Sequence, residues 1–172
     1  MRLHIMILLF VCYFGINKNA SCQNSQANFE QQEIEIINEL SSAYSGQQND
    51  FSLCLNILSK LEELYEDNMV YVEPMPYADM YHLKGLCYYG LGEYDKALET
   101  QLKCLALREN IFGKVHLEYV EVLDAILQVN IAIEEYVDFP EIALEILTLM
   151  NQILGKEHSD YAENLEDIAF WY

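Results

Sequence analysis

Apolar residues return every three or four positions along most of this chain, and short polar, glycine or proline stops separate the runs. That spacing puts them on one face of a helix rather than alternating across a strand. From Phe29 to Tyr44, Ile34, Ile37 and Leu40 share a face. From Phe51 to Asp67, Leu55, Leu58, Leu61 and Leu64 do the same. Residues 45–50 form a turn, and Glu73-Pro74-Met75-Pro76 breaks the chain. A third helix is predicted over Tyr77–Leu91. A fourth follows the Gly92 turn to Phe112, with Tyr94, Leu98, Leu102, Leu105 and Leu107 as its apolar stripe and the small Ala97 where a partner helix crosses. Further helices are predicted over Leu117–Tyr136, Pro140–Leu154 and Ser159–Tyr172. Pro140 sits in a first turn, where no backbone N–H is needed.

No such helix buries its stripe alone, and the sequence contains copies of one unit. Phe112-Gly113-Lys114-Val115-His116 returns 42 residues later as Leu154-Gly155-Lys156-Glu157-His158. Tyr77-Ala78, Tyr119-Val120 and Tyr161-Ala162 keep the same interval. Several marks in one register define a helical repeat. The expected fold is all-α, a right-handed superhelical solenoid of antiparallel helix pairs. It holds about three and a half repeats over residues 29–172.

The residues that carry the repeat also carry a resemblance. Leu165-Glu166-Asp167-Ile168-Ala169-Phe170-Trp171-Tyr172 resembles the first-helix signature of the tetratricopeptide repeat family. Glu93-Tyr94-Asp95-Lys96-Ala97-Leu98 resembles its turn and second-helix start, and Ala106 to Gly113 its helix end. The longer period is similar to that of kinesin light chains and of bacterial exported or signalling proteins. Lys84, Asn130 and Ile142 depart from the pattern, where an apolar residue, Tyr and Ala are usual. The resemblance implies a protein- or peptide-binding groove lined by the first helix of each pair. On that alignment Glu35, Asp79, Glu121 and Glu163 come first, all acidic. His82, Asp124 and Glu166 lie one turn on. Leu86, Gln128 and Phe170 follow, with Tyr89 beyond. Carboxylates in a first helical turn also complement the helix dipole, which explains the first rank but not Asp124 and Glu166.

Charge narrows the partners. With 28 Asp and Glu against 9 Lys and Arg, the formal charge is −19. That disfavours nucleic acid, whose phosphates need cations, and anionic membrane surfaces. A partner of basic or mixed basic–apolar character suits the groove.

Arg2, the apolar run Ile5–Ile16 and Ala20-Ser21-Cys22 read as a signal peptide over residues 1–22. Cleavage at Cys22, lipidation of Cys22 and an uncleaved anchor are alternatives. Each exports the chain to the periplasm or cell envelope and confines membrane contact to this segment. Residues 23–28 are expected to be a flexible start. Cys54, Cys87 and Cys104 sit in apolar helical patterns and read as buried thiols. No CxxC pair, nucleophile–base set, GxGxxG or Walker-type stretch occurs, so neither an enzyme, a metal site nor a cofactor is expected. His116 and His158 stand one repeat apart and read as turn residues.

The primary expectation is therefore an exported, non-catalytic interaction scaffold. The alternative is the sensory or adaptor end of a larger protein with a protease-like or histidine-kinase effector, as in similar proteins. The run Ile168 to Tyr172 lacks a covering helix. That points to a partial product or to self-association through this end.

Overall fold

The computed structural model describes residues 23–44, 50–134 and 139–171. The proposed signal segment with Cys22, the turn at residues 45–49, Asp138 and Tyr172 lie outside them. Seven helices account for most of the described residues: α1 (Gln23–Tyr44), α2 (Phe51–Asp67), α3 (Pro74–Gly90), α4 (Tyr94–Phe112), α5 (Leu117–Ala132), α6 (Phe139–Ile153) and α7 (Ser159–Trp171). No described residue is in a strand. The chain divides into two compact units between Leu91 and Gly92.

In the first unit α2 packs against both α1 and α3. Asp50 starts α2 by accepting the backbone N–H of Leu53 at 2.9 Å, which satisfies one of the donors a helix start leaves open. Cys54, Ile57, Leu58, Leu61 and Tyr65 form its buried stripe. With Phe29, Leu40, Met80, Leu83 and Cys87 they make one core. Helix α1 starts at Gln23, so the expected flexible stretch 23–28 is helical instead. Gln26 ties it down: it is buried, and its amide donates to Glu30 one turn on at 2.7 Å. Helix α3 begins at Pro74, three residues before the sequence predicts. The chain break at the prolines is thus a helix start, because a first turn requires no N–H from them.

In the second unit α5 packs between α4 and α6, and α7 packs on α6. Tyr119, Leu123, Leu127, Phe139, Ala143, Ile146 and Met150 dominate the core. The two copies of the turn motif are structurally alike. Gly113 and Gly155 have φ of 76° and 82°, the region open to glycine. Three residues on, His116 Nδ1 accepts the N–H of Glu118, and His158 Nδ1 accepts that of Asp160, both at 3.2 Å. The histidines, whose spacing marked them as turn residues, cap the helices that follow.

Two buried faces differ from the hydropathy reading. Helix α4 buries Ala97, Thr100, Gln101, Cys104 and Arg108, whereas Leu102 is 50% exposed. On α1 the buried series is Phe29, Glu33, Ile37 and Leu40, and Ile34 is 53% exposed. In both cases a polar side chain holds an inner position because another helix supplies its partner.

Candidate functional site

Glu35 and Glu39 of α1 face Lys60, Glu63 and Asp67 of α2 across an open cleft of about 430 Å³. Ile36 and Leu64 contribute its apolar part, and Gln32 completes the wall. Lys60 Nζ binds Glu39 at 3.0 Å, with both side chains about half exposed. Four carboxylates thus surround one ammonium whose charge Glu39 already meets. Sequence reasoning found Glu35 but not Glu39, Glu63 or Asp67. The last two sit on a second helix, which the alignment assigned no groove role. The signal available was the repeat of acids at 63, 66 and 67 beside the apolar stripe of α2.

On α3 of the same unit, Asp79 and Leu86 are half-buried and Tyr89 is exposed, in keeping with surface positions. His82 is not: at 2% exposure it belongs to the interior, so the expectation that it lines a groove does not hold for its side chain. Lys84, an unexpected residue by the repeat pattern, is buried and ion-paired with Glu62 of α2.

The second unit contributes a narrow polar strip. Ten residues of α5 are buried. Glu121, Asp124 and Gln128, one helical turn apart, remain partly open. The predicted positions therefore share one face of this helix. Glu121 is engaged from below. Arg108 of α4 is wholly buried, and its Nη1 lies 2.9 Å from both Glu118 Oε2 and Glu121 Oε2. The same nitrogen donates to the backbone carbonyl of Glu118 at 2.7 Å. One guanidinium thus offsets two carboxylates, and the strip is less negative than its sequence suggests. Arg108 was missed because hydropathy places an Arg at the surface by default. On α7, Glu163 and Glu166 are exposed, and Phe170 is 80% exposed.

The buried acid of the first unit is different in kind. Tyr65 donates its hydroxyl proton to Glu33 Oε1 at 2.6 Å, and both side chains are almost fully enclosed. Burial raises the Glu33 carboxyl from 4.5 to about 6 against the lowering effect of that hydrogen bond, with the Glu30 charge adding to the rise. Burial, then the Glu33 charge, pushes the Tyr65 hydroxyl far up.

Residues 76–138 match the family model described as tetratricopeptide repeat. This stretch carries tetratricopeptide repeats. Among solved structures, its fold is similar to the crystal structure of BtubC (BKLC) from P. vanneervenii, with a TM-score of 0.58 and 14% identity. That alignment covers 90% of this chain and 66% of the other, just under two thirds of it. At such identity the likeness concerns the fold. No curated protein matches. Among the described residues of this repeat chain, no group of His, Cys, Asp and Glu is placed to hold a metal ion. No described helix is long and apolar enough to cross a membrane.

Proposed function

We propose that this tetratricopeptide repeat chain is an exported, non-catalytic scaffold that takes a basic, partly apolar segment of another protein in the α1–α2 cleft. The observation that carries the reading is the cleft: four carboxylates and one paired lysine above Ile36 and Leu64. An apolar floor gives a side chain somewhere to bury, and the carboxylate rim selects and steers a cation-rich segment. The α5 strip adds a second acidic surface, tempered by Arg108. The chain's overall charge of −19 favours the same class of partner.

The test is fluorescence anisotropy of a labelled peptide alternating Lys and Leu. The triple variant Glu35→Gln, Glu63→Gln, Asp67→Asn should bind at least about tenfold more weakly and lose most of the salt dependence. Asp124→Asn should change little. Equal binding by the triple variant, with an unchanged circular dichroism spectrum, would refute the cleft. Export is tested apart: N-terminal sequencing of the chain from a Gram-negative host should find residues 1–22 removed. Recovery of intact Met1 from cytoplasm would end that part of the proposal.

A further inference from the structure

Helices α2 and α3 run antiparallel in one tight register, visible at three levels. At one end, a Cβ built on Gly90 would stand 2.5–2.7 Å from the Phe51 ring, so that ring lies directly on the glycine backbone. At the other end the Tyr65 and Tyr77 rings are 6.1 Å apart. Between them, one turn after Phe51 and one turn before Gly90, stand Cys54 and Cys87. Both are buried in the same core at matching levels of the two helices, close enough for each thiol to act on the other electrostatically. A disulfide needs Cβ atoms about 3.5–4.5 Å apart, a separation that only closely approaching helices provide. The missing side chain at Gly90 is what permits that approach one turn away.

We infer that Cys54 and Cys87 are a disulfide site, which staples α2 to α3 when the chain meets a disulfide-bearing oxidant. The reaction is thiol–disulfide exchange. One cysteine, as thiolate, attacks a sulfur of the oxidant and expels its other half as a thiolate. The second cysteine then attacks the protein sulfur of that mixed disulfide and expels the remaining half. The two cysteine protons end on the two departing thiolates. The protein thus loses two protons and two electrons, and the oxidant becomes two thiols. Cys104 is buried in the other unit and has no part in it.

The site is slow by construction. Burial pushes both thiols up, Cys87 to about 12, so neither is a ready nucleophile while the helices stay closed. Exchange proceeds when α2 and α3 part transiently, and reclosure brings the second thiol onto the mixed disulfide. The linkage is favoured in the folded state, because the fold holds the two sulfurs together. By reciprocity the bond then favours the fold. This inference is independent of the proposed partner and of export, since the oxidant is supplied in the test.

Full-length chain is equilibrated in glutathione redox buffers, approached from the reduced and the oxidised side, with enough urea to permit opening. A parallel series uses fully denaturing urea. Thiol counting and peptide mapping should show a Cys54–Cys87 link with Cys104 still a thiol. Half-oxidation of the folded chain should need a medium at least tenfold more reducing, as the ratio of squared glutathione to its disulfide, than that of the unfolded chain. Cys104→Ser should leave that ratio unchanged. A folded ratio equal to or below the unfolded one would overturn the inference. So would glutathione adducts in place of the link, or a link through Cys104.

Discussion

Replacing Glu33 by Gln should stabilise this protein at neutral pH, although it deletes a charge from an interhelical hydrogen bond. Glu33 is 1% exposed, and the Tyr65 hydroxyl donates to it at 2.6 Å. Burial raises its carboxyl from 4.5 to about 6 in the folded chain. Folding therefore takes up a proton between those values. The stability that Glu33 contributes is fully present below pH 4.5 and is lost as pH rises through about 6. At 1.36 kcal/mol per tenfold, the raised carboxyl corresponds to about 2 kcal/mol. Glu30 on the same helix and Asp79 near the Tyr65 hydroxyl add negative charge around the pair. Gln keeps an oxygen for the Tyr65 hydroxyl and mimics the protonated acid. Urea unfolding followed by circular dichroism, with hydrogen exchange of α1 and α2 amides, should show Glu33→Gln gaining up to about 2 kcal/mol at pH 7.5 over its effect at pH 4. A difference between variant and parent that does not change with pH would refute the reasoning.

Further substitutions test the two cores. Arg108→Met removes the guanidinium shared by Glu118 and Glu121; it should cost on the order of 3 kcal/mol in a thermal or urea melt, and a second change, Glu121→Gln, should recover part of it. Additivity of the two changes would mean the ion pair is not formed in solution. Ala97→Leu, at a fully enclosed position, should overpack the second unit by roughly 1–3 kcal/mol, and an unchanged melt would show that the site has room. Gly113→Ala meets no atom within 4 Å but forces φ of 76° and ψ of 173° on a side chain; it should cost roughly 1–3 kcal/mol from backbone strain alone, whereas Lys114→Ala beside it should be nearly neutral.

Local signals were easy to read where the chain itself supplies the cause. Helix α2 runs from Phe51 to Asp67 as its pattern predicts, because Asp50 caps it and Leu58 and Leu61 anchor it. The paired glycine and histidine positions of the two turns are visible as a 42-residue echo, since each turn builds its own conformation from adjacent residues. What the pattern missed depends on another helix. Glu33 and Arg108 look like surface residues until Tyr65, Glu118 and Glu121 are placed against them. Leu102 looks like core until Gln101 and Cys104 are found inside. The cleft was half legible for the same reason: Glu35 lies on a helix the repeat alignment assigned to binding, and Glu63 and Asp67 do not.

The crowding around α5 sets a limit on how this chain could acquire a new partner. A helix with ten enclosed positions has almost no site where a substitution leaves the core alone. Of the four polar positions it leaves partly open, Glu118 and Glu121 are both bound to a buried guanidinium, so changing either weakens what holds that cation. The α1–α2 cleft, with exposed carboxylates on both walls, can be rewritten residue by residue at little cost to the fold.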